Sequence, residues 1–416
     1  MSLVRNEAMD LAHTESYSPW RMLWWLLMAQ IMVAFIGRSL GPLSVFIEED
    51  LSLTKAQVGL LPSALFLGQA VASIPMGLLS DRFGSRPLLA FMSSILGISF
   101  LMMTFQTTYW VVLLLIMVGG IGYGGMHPTT NRGIVYWFSQ KKRGTAMGIK
   151  QMGITFGSAL SAILLIPLAE TYGWRTVVLI SCFVLIAAGV IAYVLYRDPK
   201  NETPVQQQKP SLSSTFSSLT LMAKNKPLLF ISLSAMGING SQMCLNTYLV
   251  LFTYEQIGIH LVLAGLLLVF SEAGGSLGRI VWGVISDRIF GGERLKVMVI
   301  IVIITLVISA VVAFLPKGTP YGLLVPLFFV FGFAVSGFNG IWMNLASELV
   351  PKEQAGLSSG FSITLGSLGV ILFPPLFGLI VDQSQGYTLG WLMISVLMIM
   401  VMVLLHRLNK MERTAY

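Results

Sequence analysis

The stretch GLLSDRFGSR covers residues 77–86, and the similar stretch GVISDRIFGGER covers residues 283–294. In each stretch a glycine stands four residues before an Asp-Arg pair, and Asp81 and Asp287 lie 206 residues apart in a chain of 416 residues. A separation close to half of the chain length indicates an internal duplication. The sequence therefore predicts two similar halves, each with one charged segment of this kind.

The composition places the chain in a membrane. Only 11% of the residues are charged, 55% are hydrophobic, and the mean hydropathy is +0.79. This leaves too little polar surface to cover a water-soluble globule of this size. Runs of about 20 apolar residues, the length that crosses a bilayer, recur twelve times between charged turns.

These runs predict an all-α membrane protein with twelve transmembrane helices in two pseudo-symmetric six-helix bundles. Predicted helices 1–6 cover residues 22–47, 56–80, 87–105, 109–134, 144–168 and 174–196. Predicted helices 7–12 cover residues 227–252, 261–286, 296–315, 321–346, 356–380 and 389–406.

The longest polar stretch between predicted helices, residues 197–226, is rich in Pro, Gln, Ser and Lys and indicates a solvated cytoplasmic linker. It divides the chain into an N-terminal bundle, residues 1–196, and a C-terminal bundle, residues 227–416. Because both halves begin on the same side of the membrane, we expect parallel repeats related by an axis along the membrane normal.

The positive charges are distributed unevenly across the predicted membrane. If the N-terminus is cytoplasmic, 19 of the 26 Lys and Arg residues lie in cytoplasmic segments, and only Lys55, Arg175 and Lys317 lie in outer loops. This is the positive-inside pattern, so we expect both termini in the cytoplasm of a bacterial inner membrane protein. The net charge of +8 then reflects topology, and we expect no nucleic-acid partner.

The sequence contains no His/Cys cluster with metal-ligand spacing, no nucleotide-binding Gly loop and no nucleophile elbow. The two cysteines, Cys182 and Cys244, fall in predicted helices, and we interpret them as small packing residues. We therefore expect no enzyme, no metal and no cofactor.

The two charged segments are expected in the cytoplasmic loops between helices 2 and 3 and between helices 8 and 9. The glycine of each segment is expected to let helices approach closely. The aspartate is expected to cap a neighbouring helix N-terminus and to pair with arginine. We interpret both segments as conformational latches, whose residues are Gly77, Asp81, Arg82, Gly84, Arg86, Gly283, Asp287 and Arg288.

The first charged segment resembles the loop 2–3 signature of the major facilitator superfamily, and the second occupies the corresponding loop 8–9. The run Gly173-Trp174-Arg175 before helix 6 and the run PKEQAGLSSG at 351–360 before helix 11 agree with this resemblance. The resemblance covers nearly the whole chain. It implies two bundles around a central cavity that opens alternately to each side, and a monomer.

Of the ionisable residues inside predicted helices, five need weighing as functional candidates: Arg38, Arg132, Lys150, Glu272 and Arg279. Each costs about 2.5–3.5 kcal/mol at mid-helix on insertion scales, so each is a functional candidate. The stretch around Arg38 resembles helix 1 of the anion:cation symporters, in which an Arg holds a substrate carboxylate and often follows an Asp, where this chain has Gly37. The alternative for Arg38 is an ion pair or carbonyl contact between helices.

Arg279 and Glu272 lie two turns apart on one face of helix 8. Arg279 with Gly283 resembles helix 8 of the monocarboxylate transporters, in which an Arg binds the carboxylate. Their acidic residue stands four residues before the Arg, where this chain has Gly275. Arg279 is therefore a candidate anion ligand. Glu272 is a candidate proton-coupling carboxylate or a fixed salt-bridge partner.

Lys150 and His127 keep two interpretations each, and Arg132 has one. Lys150 is a third cation of the cavity or extends to the cytoplasmic headgroups. His127 is a proton carrier or a hydrogen-bonded packing residue. Arg132 is expected to be structural, near the cytoplasmic interface. Polar and aromatic residues that contact substrate or only pack between helices include Gln242, Asn246, Asn339 and Tyr123.

The sequence thus favours a secondary active transporter that imports a small organic anion, a monocarboxylate or a sugar acid, together with protons. Arg38 and Arg279 come from opposite halves and are expected to close on one carboxylate. Exchange of organic phosphates or dicarboxylates, drug/proton antiport and a non-transporting receptor remain the alternatives.

Overall fold

The computed structural model describes residues 18–198, 222–351 and 354–415. Within these ranges twelve helices are long and apolar enough to cross a membrane. The prediction of an all-α protein with twelve spans is therefore confirmed. We number these helices α1–α12 in chain order, so that each label corresponds to one predicted helix.

In the N-terminal half, α1 has two segments, Pro19–Gly37 and Ser44–Leu51. The next five are α2 Lys55–Phe83, α3 Ser85–Met103, α4 Tyr109–Trp137, α5 Gln140–Tyr172 and α6 Trp174–Leu195.

In the C-terminal half, α7 covers Lys226–Phe252 and continues as a π-helical turn, Thr253–Ile257. Then follow α8 Leu261–Arg288, α9 Arg294–Ala313, α10 with the segments Tyr321–Val335 and Asn339–Glu348, α11 Ala355–Ser384 and α12 Thr388–Ala415.

Two helices that the sequence predicts as continuous are interrupted. In α1 the helix stops after Gly37, because Pro42 lacks the N–H that would continue it and Gly41 packs directly against the backbone carbonyl of Asn246. In α10 the interruption at 336–338 contains Gly337, which packs against α8. Both interruptions free backbone groups close to the centre of the molecule.

The loop predicted between helices 2 and 3 is much shorter than expected. Asp81 and Arg82 lie in the last turn of α2, and Gly84 alone separates α2 from α3. Gly84 has φ +84°, a conformation that favours glycine. In the second copy, Asp287 and Arg288 are likewise the last residues of α8. The side chain of Asp81 lies outside the described part of the structure.

A different aspartate caps α3. Both carboxylate oxygens of Asp198, just after α6, accept backbone N–H groups, from Ser85 at 3.0 Å and from Arg86 at 2.9 Å. Asp198 also lies 3.6 Å from the guanidinium of Arg132. In the second copy, Asp287 pairs with Arg294 of α9 at 3.4 Å, within its own bundle.

The two motif glycines lie at the inner face and make no tight helix contact in this structure. A Cβ atom at Gly283 would meet nothing within 4 Å, and one at Gly77 would touch Pro128 of α4 at 4.0 Å. The close approach expected at these glycines stays a prediction for a state in which the inner face is closed.

The two bundles meet along two pairs of helices. Within each half the helices pack mainly among themselves, whereas α2 packs against α11 and α5 packs against α8 across the interface. We call the membrane side that carries the α2–α3 junction the inner face, and the opposite side, where α2 begins, the outer face.

Arg175 holds the outer end of the N-terminal bundle together. Its guanidinium donates to the carbonyl oxygens of Thr104 at 2.6 Å and Gln106 at 2.7 Å, and to Asp50 at 2.9 Å. We expect Arg175→Ala to lower the free energy of unfolding by about 1–3 kcal/mol. Thermal unfolding in detergent measures this, with the exposed Arg407→Ala as control. Equal melting temperatures for both variants would contradict the expectation.

Candidate functional site

The outer face is closed by contacts between the two bundles. Asp382, at the end of α11, accepts the backbone N–H groups of Lys55 at 2.8 Å and Ala56 at 2.9 Å, and thereby caps the first turn of α2. The ammonium of Lys55 contacts Glu48 of its own bundle and, at 2.7 Å, Glu255 of the other. We call these five residues the outer gate.

Below the outer gate, side chains of one bundle bind the backbone of the other. The hydroxyl of Tyr248 donates to the carbonyl of Lys55 at 2.7 Å, and Ser63 donates to the carbonyl of Ile371 at 2.7 Å. Glycines on the outer halves of the helices, such as Gly59 and Gly378, are in direct contact with backbone atoms of the opposite bundle. The two bundles are therefore packed tightly on this side.

The inner halves of the same helices face open space. A Cβ atom would meet nothing within 4 Å at Gly144 and Gly148 of α5, at Gly283 of α8 or at Gly360 of α11. The two bundles are therefore packed closely at the outer face, whereas these positions at the inner face have open space beside them.

Arg38 lies at the end of the first segment of α1, in the centre of the interface. Its Nε donates to the hydroxyl of Tyr123 on α4 at 3.1 Å, and one terminal nitrogen lies 3.9 Å from Sδ of Met243 on α7. The guanidinium also lies over the ring of Phe66, 5.3 Å from its centroid. Arg38 thus contacts both bundles.

Arg279 approaches the same region from α8. Its Nε donates to the carbonyl oxygen of Ser336 at 3.3 Å, in the interruption of α10, and Asn339 donates to the same oxygen at 3.3 Å. Arg279 is within electrostatic range of Glu272, Arg38 and Tyr123. The structure therefore brings together the two arginines that the sequence placed in opposite halves.

Glu272 joins the two bundles at the centre. One carboxylate oxygen accepts hydrogen bonds from Ser158 of α5 at 3.0 Å and from Asn246 of α7 at 3.1 Å. Its side chain is buried, and no ion pair of Glu272 with either arginine is present in the described ranges. Glu272 is hence held by neutral groups, although both arginines are near.

Lys150 is completely buried, and its ammonium donates to the side-chain oxygen of Asn131 on α4 at 2.7 Å. His127 lies between this pair and Tyr123 on the same face of α4, with its ring 6.1 Å from that of Tyr123. It is within electrostatic range of Lys150 and Arg38. The alternative in which Lys150 extends to the headgroups does not describe this conformation.

Other candidates lie beside the centre or away from it. Gln242 is half-buried next to Met243 and makes no hydrogen bond with the described residues. Arg132 pairs with Asp198 at the inner end of the N-terminal bundle, as its structural interpretation expects. The motif residues of both charged segments lie at the inner face and do not belong to this site.

The charges of the central site are unequal. Arg38, Lys150 and Arg279 supply three positive charges, and Glu272 is the one acid that we find among them in the described ranges. A cavity of about 20 Å³ beside Arg38, lined by residues that include Ser158 and Asn246, has room for about one water.

Sequence reasoning missed several of these residues. Ser158 and Asn131 are neutral side chains in long helices and carry no distinctive pattern. Glu255 and Asp382 lie near helix ends, where acids are common. The interruption of α1 did leave a signal, since Gly41-Pro42 is a strong helix-breaking pair.

Two helical bundles with charged side chains between them are typical of a membrane carrier. The family model of the Major Facilitator Superfamily matches residues 26–374. The chain belongs to this superfamily of membrane transporters, and it is not an enzyme.

Curated relatives match most of the chain at low identity. The hexuronate transporter of Bacillus subtilis is 24% identical, over 87% of this chain and 88% of the relative. The "Probable sulfoacetate transporter SauU" of Cupriavidus necator is 24% identical, over 88% of each chain. The membrane sensor protein UhpC of Salmonella typhimurium is 25% identical, over 77% of this chain and 76% of the relative.

Solved structures share the fold. A bacterial homologue of the human lysosomal transporter Spinster, in an inward-facing and unoccupied conformation, has a TM-score of 0.77 at 18% identity, covering 95% of this chain and 98% of the other. The nucleoside transporter NupG has a TM-score of 0.77 at 17% identity, covering 94% and 99%.

Proposed function

We propose that this protein is a secondary active transporter that imports a small organic anion, a monocarboxylate or a sugar acid, together with protons. The observation that carries the proposal is the excess of positive charge at the centre. Arg38 and Arg279 lie near Glu272, Lys150 adds a third positive charge on the inner half of α5, and Glu272 is the one acid that the described residues place among them. Buried charges without partners are costly, so a site with this excess favours an anionic guest.

Arginine suits this task because its planar guanidinium binds a carboxylate through two parallel hydrogen bonds and stays charged at any working pH. Among the described residues, the terminal nitrogens of Arg38 and Arg279 make no ion pair, which leaves them available to a substrate. Relatives named for hexuronate and sulfoacetate transport support an organic anion as the cargo.

Glu272 is the group that we assign to proton coupling. Two arginines lie near this carboxylate, and an arriving anion would compete with it for the same guanidinium groups. Protonation also changes its hydrogen bonds to Ser158 and Asn246, which come from opposite bundles. The side chain of Glu272 is thus linked to the substrate, to the proton and to the contact between the bundles.

Glu272→Gln is expected to separate substrate exchange from proton movement, because Gln keeps an acceptor for Ser158 and Asn246 but does not titrate. In proteoliposomes, the variant should exchange D-glucuronate or sulfoacetate across the membrane but no longer carry protons with them. Radiolabelled counterflow and an internal pH dye measure the two processes. A prior thermal-shift screen of anions selects the better probe, since a ligand of the folded state raises the melting temperature.

The matched control is Glu293→Gln, an exposed acid at the inner face that pairs with Lys296. It should leave proton uptake unchanged. If the wild-type protein exchanges the anion without any proton uptake, the coupling proposal is wrong and exchange is the function. Exchange of dicarboxylates or organic phosphates is also favoured by the surplus of two positive charges over Glu272.

We further propose that the inner face is cytoplasmic and that the two charged segments act as latches when this side closes. In this conformation Asp287 and Arg294 pair within one bundle, and Gly77 and Gly283 face open space. Closure of the inner face would bring the opposite bundle onto these positions, where glycine leaves room for it.

A further inference from the structure

The position before Arg38 has a direct spatial partner on α4. A Cβ atom at Gly37 would lie 2.6 Å from Cε2 of Tyr123 and closer still to its Cδ2, distances that real Cβ atoms do not show. The aromatic ring of Tyr123 therefore lies against the backbone at Gly37. A side chain at position 37 and the ring of Tyr123 cannot both occupy this space.

The same tyrosine fixes one edge of the Arg38 guanidinium. Its hydroxyl accepts from Nε at 3.1 Å, while the guanidinium rests over Phe66, whose ring packs edge-to-face on that of Tyr123 with centroids 5.9 Å apart. Tyr123 is only 1% exposed, so this arrangement is buried and pre-formed. The Nε edge and one face of the guanidinium are thus occupied by protein.

The remaining edge of the Arg38 guanidinium extends towards the opposite bundle. A guanidinium has five donors, and the hydrogen bond to Tyr123 uses the one on Nε. The two terminal nitrogens remain. One of them donates a long hydrogen bond, 3.9 Å, to Sδ of Met243 in the opposite bundle. A carboxylate that approaches between the bundles therefore meets Arg38 end-on, with two parallel donors.

We infer that Tyr123 is a positioning residue for anion recognition, which holds Arg38 with its two terminal nitrogens towards the substrate, and that Gly37 is the position that admits Tyr123. The inference rests on the proposed function, because it assigns the orientation of an anion-binding arginine. It changes the role of Tyr123 from a substrate contact to a support of the residue that makes the contact.

The orientation of Arg38 is measurable without any substrate. In ¹⁵N-arginine-labelled protein, the Nε–H resonance that disappears in Arg38→Lys belongs to Arg38. We expect it to exchange slowly with water in the wild-type protein and to shift and exchange at least about tenfold faster in Tyr123→Phe, which keeps the ring and loses the hydroxyl. An unchanged resonance in Tyr123→Phe would overturn the inference.

Gly37→Ala tests the second half of the inference. The added methyl group displaces the ring, so the Arg38 resonance should change as it does in Tyr123→Phe. The matched control is Gly144→Ala, where the new methyl group meets nothing within 4 Å. If Gly37→Ala leaves the Arg38 resonance as it is in the wild-type protein, Gly37 is not the position that admits Tyr123.

Binding separates positioning from direct contact. Tyr123→Phe should weaken binding of D-glucuronate or sulfoacetate about tenfold in the wild-type background and by less than about twofold in an Arg38→Lys background. An equal loss in both backgrounds would mean that Tyr123 contacts the anion itself and would overturn the inference. If no anion binds the wild-type protein, the proposed function fails, and the Nε–H resonance still decides the position of Arg38.

Discussion

Uptake of the anion is expected to be lost in Arg38→Ala and in Arg279→Ala. Each substitution removes one guanidinium from a site where Glu272 is the one acid, among the residues that the structure describes, that offsets the positive charge. Truncating one partner of a buried charge pair costs about 2–5 kcal/mol, which corresponds to a loss of affinity of about thirtyfold or more. Uptake of radiolabelled anion into proteoliposomes at a concentration near the wild-type KM measures the effect.

Lysine should not restore uptake at either position. Its ammonium keeps the charge but has no planar fork, so it cannot bind a carboxylate through two parallel hydrogen bonds. We expect Arg38→Lys and Arg279→Lys to retain at most a few per cent of uptake. Arg407→Ala, an exposed arginine on α12, serves as the control for a lost positive charge.

The same variants distinguish the alternatives. A drug/proton antiporter depends on acidic residues of its cavity. If this protein is one, the Arg38→Ala variant should keep its transport activity. A receptor that binds without transport would show no flux in the wild-type protein. Persistent anion uptake in both Arg38→Ala and Arg279→Ala would contradict the two-arginine site.

The helices could be predicted because each one has a local pattern in the sequence. A run of about twenty apolar residues indicates a membrane span whatever the helix packs against. The charged segments at 77–86 and 283–294 indicate the duplication. The interruptions of α1 and α10 depend on tertiary packing as well, since Gly41 and Gly337 lie against other helices. The interruption of α1 is visible in sequence as the pair Gly41-Pro42, whereas that of α10 is visible only as one glycine among many.

The central site could be predicted only in part. Charges inside spans are rare, so Arg38, Lys150, Glu272 and Arg279 are recognisable one by one. Their partners are ordinary polar residues, and which serine meets Glu272 depends on how two bundles approach across more than 100 residues of chain. Pairings of this kind follow from the fold and not from local spacing.

The contacts of the outer gate could not be predicted from local spacing either. Asp382 caps α2 from the other bundle, 327 residues away along the chain. Removing it in Asp382→Ala leaves the N–H groups of Lys55 and Ala56 without this acceptor whenever the gate is closed. A helix cap contributes about 1–2 kcal/mol, so the balance should move about five- to thirtyfold towards a state that is open at the outer face.

Spin labels on the outer surface measure this balance. Tyr172→Cys at the end of α5 and Phe314→Cys after α9 place labels on exposed positions of opposite bundles, and both native cysteines are buried. Double electron–electron resonance should show a larger long-distance population in Asp382→Ala. The matched control is Asp50→Ala, because Asp50 is an outer-face carboxylate that binds Arg175 within one bundle. If Asp50→Ala shifts the distances as much as Asp382→Ala, or if neither does, the cap between the bundles does not hold the outer gate closed.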